Sequence, residues 1–292
     1  MTLTGSPSRR WSGDWGRGQE PGPIAVDVLV PTADRPAELA VTLAGLAAQD
    51  DPRFRVIVSD QSTGAPDFDA PAVASMARVL EAQGRQFLLD QASAPSVLFL
   101  DDDVWLEPGL LGRMERALHE LGCGLVGSAV QGLSYLDDVR PHERSSFEPW
   151  STGVEPERIR RDTGAFERWR LHNAANLVHE ATEHPVGRDD YLPYRIAWVG
   201  GCVLYDRQAL VATGGFDFWA GLPPQHAGED VAAQWRVMER YGGAGILPSG
   251  AVHLEAPTTI PDRDVEAIDV VAFDEGGDRG SADAHPTREE SR

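Results

Sequence analysis

Three consecutive carboxylates, Asp101, Asp102 and Asp103, follow directly on the apolar run Val97-Leu98-Phe99-Leu100. A short apolar run bounded by polar residues reads as a strand buried on both faces. Ligands of an open α/β sheet sit beyond the carboxyl ends of its strands, where these aspartates would stand. Their mutual repulsion in a partly desolvated place must be offset, and a divalent cation is the simplest means. Continued strand geometry would put Asp101 and Asp103 on one side and Asp102 on the other. Carboxylate oxygens suit magnesium or manganese, which are commonly shared with substrate phosphates. The alternative is a solvated acidic turn ahead of a helix opened by Glu107-Pro108-Gly109, whose N-terminus also favours acid.

The elements that must position these residues alternate along the chain. Residues 24–30 form an apolar strand ending at Pro31-Thr32-Ala33-Asp34-Arg35-Pro36, and a helix with Leu39, Leu43 and Leu46 on one face follows. Phe54 to Ser59 is a second strand, ending at Asp60. Residues 70–83 read as a helix stopped by Gly84, and Arg85 to Ala92 as a short helix running on from it. After the aspartates come a helix over 108–121, a strand over 125–130, and an irregular stretch over 131–170. Residues 170–180 can form a helix carrying His172, Asn173, Asn176 and His179. A strand over 196–205 contains Gly200-Gly201. A helix from Arg207 leads to Gly214-Gly215-Phe216-Asp217, Glu229-Asp230 opens another helix, and 244–247 and 251–254 are short strands. Strands alternating with helices predict an α/β fold with a mixed, mainly parallel central sheet flanked by helices. Residues 1–23, rich in Gly, Ser, Pro and Arg, and residues 261–292, dominated by acid, read as disordered tails around one domain over 24–260.

Composition narrows the function. The formal charge of −20 argues against nucleic acid or an anionic membrane as a partner. All 26 basic residues are arginine, which excludes a P-loop lysine and Schiff-base chemistry. Cys123 and Cys202 have no paired spacing and read as buried thiols. No apolar segment approaches the ~20 residues of a membrane span, and the N-terminus lacks a signal peptide's apolar core, so the expectation is a cytoplasmic protein.

The order of the motifs resembles family 2 glycosyltransferases of the Rossmann-like GT-A fold. The matching pieces are Val30-Pro31-Thr32 with Arg35, Val58-Ser59-Asp60, Arg85-Gln86-Phe87, Leu100-Asp101-Asp102-Asp103, Gly214-Gly215-Phe216-Asp217, Gly228-Glu229-Asp230 and His253. The resemblance implies a nucleotide-binding half over 24–130 and an acceptor-binding half over 131–260. It implies that Asp60 holds the nucleotide base, that Pro31, Thr32, Arg35 and Arg85 belong to the nucleotide pocket, and that Asp101 touches the ribose. Asp103 and His253 would hold Mn2+ or Mg2+, and Asp230 would be the general base. The implied reaction moves a sugar, in hexosyltransferase fashion, from a nucleotide-diphospho-sugar to a carbohydrate, lipid-linked or small-molecule acceptor, as in polysaccharide biosynthesis or secondary-metabolite decoration.

The chemistry agrees with that assignment. Expelling a nucleoside diphosphate places charge on phosphate oxygens, which a cation stabilises. The attacking hydroxyl loses its proton to a carboxylate. One base opposite the leaving group means direct displacement with inversion. Each residue also has a plainer role open to it. Asp60 can cap a turn before Gly64, Glu229-Asp230 can simply favour a helix N-terminus, and His253 can be a core histidine. Trp198 and Trp219 suit either sugar stacking or packing. The run from residue 80 to 85 also leaves no room for the edge strand usual in the family. Its absence would admit a catalytically impaired, nucleotide-sugar-binding protein as the alternative, with a nucleotidyltransferase ranked last.

Overall fold

The computed structural model describes residues 22–62, 77–81, 84–187, 189–223, 226–258 and 264–273. The strands are β1 Val26–Thr32, β2 Phe54–Asp60, β3 Ala77–Glu81, β4 Ser96–Leu100, β5 Val104–Leu106, β6 Leu125–Gly127, β7 Gln131–Gly132, β8 Leu192–Tyr194, β9 Cys202–Asp206, β10 Gly243–Leu247 and β11 Ala251–His253. The helices are α1 Pro36–Ala47, α2 Gly84–Gln91, α3 Leu110–Leu121, α4 Pro141–Arg144, α5 Asn176–Glu183, α6 Arg207–Ala212, α7 Glu229–Tyr241 and α8 Ala267–Val270.

Among the described residues the main sheet has eight strands in the order β3-β2-β1-β4-β9-β6-β10-β8. Pairing is parallel from β3 through β4 and between β6 and β10; β9 and β8 run antiparallel to their neighbours. The mixed, mainly parallel α/β sheet is therefore the one expected. Apolar residues alternate to both of its faces. Leu29, Val97 and Phe99 enter one core, and Val28, Val30, Leu98 and Leu100 enter the other. Burial on both faces is why these strands carry nearly unbroken apolar runs.

A second sheet, β5-β11-β7, matters most for function. β11 is the short strand expected over 251–254, whereas β5 and β7 are too short to leave a period-two signal, so the sheet as a whole has no sequence signature. It pairs His253 with Val104 on one side and with Gly132 on the other. Helix α1 packs tightly against β5 through Gly45. A Cβ at that glycine would stand 2.9 Å from the backbone nitrogen of Leu106, so a larger residue would push β5, and the aspartate turn before it, off the helix.

Three expectations are corrected. The helix over 70–83 is not present as such: residues 77–81 form β3, parallel to β2 in the register Val56–Ala77 to Asp60–Glu81, while 70–76, 82 and 83 lie outside the described residues. The edge strand of the sheet is therefore there. Local helix-forming composition loses to pairing with an existing strand edge. The strand over 196–205 is shorter, beginning only at Cys202 after the two glycines. The acidic tail is not structureless from residue 261. Within 264–273, Ala267 is buried, and Arg161 pairs with Glu266 at 2.5 Å and Asp269 at 2.8 Å. The remainder of that tail, and the N-terminal tail apart from residues 22 and 23, lie outside the described residues.

Candidate active site

Strand β4 delivers the three aspartates, but the strand ends at Leu100 and residues 102 and 103 turn into β5. The alternation expected of a continued strand therefore fails, and Asp101 and Asp103 do not share a partner. Asp101 remains at the strand end, with its N–H donating to the Gly201 carbonyl at 2.9 Å. Its side chain is 38% exposed and receives Arg85 Nη2 at 3.1 Å. Asp102 turns inward. It accepts the Thr32 hydroxyl at 2.6 Å and Arg35 Nη1 at 3.1 Å. Asp103 accepts the same Arg35 nitrogen at 3.0 Å, and His253 Nε2 lies 3.4 Å from that carboxylate oxygen.

The offset to three adjacent carboxylates is therefore built in. Two arginines supply it, Arg35 for Asp102 and Asp103, and Arg85 for Asp101. Burial pushes the Asp102 carboxyl up, and the Thr32 and Arg35 bonds only partly oppose it. For Asp103 burial acts upward too, but the hydrogen bond and charge of His253, together with Arg35, hold it below the ordinary range. The His253 imidazole is raised in turn by its bond to Asp103, against burial. Its Nδ1 accepts the Glu255 N–H at 3.2 Å, which directs Nε2 to the carboxylate.

Thr42 is a functional position that the sequence reading missed. This fully buried residue of α1 donates its hydroxyl to the Asp102 carbonyl at 2.7 Å and accepts the Val104 N–H at 3.1 Å. It fixes the aspartate turn to the helix. Its one signal is a polar residue beside Leu43, within an otherwise apolar face.

Strands β1 and β2 end together, with Thr32 opposite Asp60. Asp60 is buried and accepts the Ser62 N–H at 3.0 Å, while the turn before Gly64 that it could cap runs outside the described residues. Pro31 is half-buried beside it. Thr32 and Arg35, expected in the nucleotide pocket, bond the aspartates of the turn.

On the other side stands the start of α7. Arg85 Nε meets Glu229 Oε1 at 3.1 Å, so one guanidinium joins the aspartate turn to this helix. Burial would lower the Arg85 pKa, but the carboxylates of Asp101, Glu229 and Asp230 outweigh it and raise it. Asp230 is pushed up to about 6, first by burial and then by the charge of Glu229, with Arg85 opposing. A carboxylate poised there is suited to accept a proton near neutral pH. The Gly214-Gly215-Phe216-Asp217 turn braces this side. Phe216 packs on Phe99 with ring centroids 4.9 Å apart, and its N–H donates to Gln86 Oε1 at 2.8 Å.

The other candidates lie elsewhere or have other work. Trp198 packs against Phe166 and Trp235, whereas Trp219 is half exposed. The Asn173 and Asn176 amides donate to Glu143, and burial pushes the His172 imidazole down to about 4, so it is neutral. The helix expected over 170–180 is broken, with a 3-10 segment Gly164–His172 ahead of α5.

The sequence model described as glycosyl transferase family 2 matches residues 27–174. No curated protein matches the chain. Among solved structures, S. aureus TarS 1–349 is 17% identical with a TM-score of 0.49, the match covering 78% of this chain and 60% of that one. The mannosyltransferase PcManGT from Pyrobaculum calidifontis, in complex with GDP-Man and Mn2+, is 17% identical with a TM-score of 0.49, covering 86% and 63%. TarS 1–349 in complex with UDP-GlcNAc is 14% identical with a TM-score of 0.49, covering 85% and 62%. The chain thus spans about 60% of the length of these proteins. No described helix is long and apolar enough to cross a membrane.

Proposed function

The chain belongs to glycosyl transferase family 2, and from that premise we propose that it is a metal-dependent, inverting glycosyltransferase acting on a nucleotide-diphospho-sugar. The observation that carries this reading is the convergence of two groups on one strand end. Asp103 and His253 meet through the small sheet, and Asp230 is joined to Asp101 through Glu229 and Arg85.

The donor set fits a divalent cation. Asp103 Oδ2 and His253 Nε2 stand 3.4 Å apart, offering one oxygen and one nitrogen. No cluster of three or more His, Cys, Asp or Glu able to hold a metal exists among the described residues. Diphosphate oxygens and water would complete the coordination, the usual arrangement for Mg2+ and its close analogue Mn2+. Charge supports the same reading. The carboxylates of Asp101, Asp102, Asp103, Glu229 and Asp230 outnumber Arg35, Arg85 and His253, so an anionic donor is helped by a cation that enters with it. When bound, the ion would stabilise the charge growing on the departing diphosphate.

The protein's own groups do the rest. Asp60 would bond the nucleotide base and Asp101 the ribose. Asp230 would take the acceptor hydroxyl's proton as that oxygen attacks the anomeric carbon opposite the leaving group. Glu229 and Arg85 would hold the start of α7 against the donor side. The reading as an impaired binder rested on a missing edge strand, and β3 removes that ground.

A donor-hydrolysis and transfer assay tests the proposal, with UDP-GlcNAc and GDP-Man in the donor panel and Mn2+ present or absent. Asp230→Asn is expected to keep donor binding and lose roughly 10²–10⁴-fold in turnover. Wild-type turnover from that variant would remove the base assignment. Pyrophosphate as the product, in place of nucleoside diphosphate, would point to a nucleotidyltransferase.

A further inference from the structure

We propose that Arg35 is the resident counter-cation of the aspartate turn, and that a divalent ion arriving with the donor diphosphate must take Asp103 from it. The inference rests on the metal reading above. Arg35 Nη1 lies 3.0 Å from Asp103 Oδ2, the same oxygen that faces His253 Nε2 at 3.4 Å. A cation held by Asp103 and His253 would share that oxygen with a guanidinium whose side chain is only 14% exposed. Two positive charges in so small and so little hydrated a space repel strongly. One of them must leave, and arginine is the one with another place to go. Its nitrogen also pairs with Asp102 Oδ1 at 3.1 Å, and Asp102 is held independently by the Thr32 hydroxyl at 2.6 Å. Arg35 can therefore release Asp103 while keeping Asp102.

The exchange reaches beyond the turn. The second terminal nitrogen of Arg35 donates to the Pro257 carbonyl. The segment carrying Pro257 is pinned by the Leu254 N–H on the Asp103 carbonyl at 2.8 Å and by Glu255, whose carboxylate accepts from Ser134. Glu255 sits at φ 58, a left-handed conformation that non-glycine residues hold only when their surroundings impose it. A shift of Arg35 is thus transmitted to the backbone that follows His253. Arg35 acts here as a positioning residue for Asp103.

The test is titration of Mn2+ with saturating UDP or GDP present, followed by electron paramagnetic resonance, into the wild type and Arg35→Gln. Removing a competing cation at this distance is expected to tighten Mn2+ binding by at least about tenfold, and Mn2+ should raise the variant's melting temperature more than the wild type's. Equal or weaker binding by the variant would overturn the inference and leave the metal reading standing. No protein-bound Mn2+ with either nucleotide, in either protein, would overturn both. If Arg35→Gln does not fold, a wild-type crystal structure with Mn2+ decides. Arg35 beyond hydrogen-bond reach of Asp103 supports the exchange, and a retained contact beside a bound ion overturns it.

Discussion

Replacing Arg85 by methionine tests how the two halves of the site are joined. Methionine keeps an apolar stem over the Phe99 ring, which the guanidinium covers at 5.8 Å, and removes only the charge and its bonds. The arginine makes two contacts of 3.1 Å, to Asp101 and to Glu229, with a side chain 17% exposed. Breaking a buried pair by deleting one partner costs about 3–5 kcal/mol. Asp101 is 38% exposed, so its share is reduced by solvent screening. The net expectation is a loss of about 2–3 kcal/mol at neutral pH, or roughly 5–10 °C in melting temperature for a domain of this size. The loss should depend on pH in one direction. Against burial, Arg85 and the other lowering contacts hold the Glu229 carboxyl below its ordinary value. A depressed carboxyl contributes stability above its unfolded pKa and loses it as pH falls through the folded one. The gap between wild type and Arg85→Met is therefore widest near neutrality and closes towards acid. Urea unfolding of both proteins across that range measures it. A loss under about 1 kcal/mol, or one independent of pH, would refute Arg85 as the counter-ion joining β4 to α7.

Two further outcomes follow from the same geometry. With Asp230 raised to about 6 by burial and by Glu229, kcat/KM for transfer should rise with pH through that value as the base loses its proton. Glu229→Gln should move this acid limb to lower pH, and a limb that stays put would contradict the assignment. Gly201→Ala should destabilise by about 1–2 kcal/mol through its left-handed φ of 75 alone. Its Cβ would also stand 3.0 Å from Val130 Cγ1, beside the carbonyl that receives the Asp101 N–H. Unchanged unfolding would show that the Gly201 turn is slack.

Much of this was legible in the chain. Apolar runs announced β1, β2 and β4, and the spacing of Leu39, Leu43 and Leu46 announced α1, because burial on a regular element leaves a period. The carboxylates at the end of β4 were visible for the same reason. What failed did so where a long-range contact decides. Ala77-Arg78-Val79-Leu80-Glu81 has the composition of a helix, yet the open edge of β2 makes it a strand. β11 matches the short strand expected over 251–254, but β5 and β7 have three and two residues, too few for any pattern, so the sheet that brings His253 to Asp103 could not be read. Strand alternation puts Asp101 and Asp103 on one side, but the turn after Leu100 cancels that alternation. The bonds of Arg35 and Thr32 to Asp102 and Asp103 leave no pattern either. Which way a guanidinium points is fixed by the carboxylates folded against it, and sequence spacing does not carry that.

If Asp103, with His253, binds the donor diphosphate through a divalent cation, nucleotide binding must need both the ion and Asp103. Calorimetric titration of UDP and of GDP into the wild type and Asp103→Ala, with and without Mn2+, measures this. One of the two nucleotides is expected to bind the wild type only when Mn2+ is present, and Asp103→Ala to bind neither. Nucleotide binding that needs no Mn2+ and survives the loss of Asp103 would contradict it.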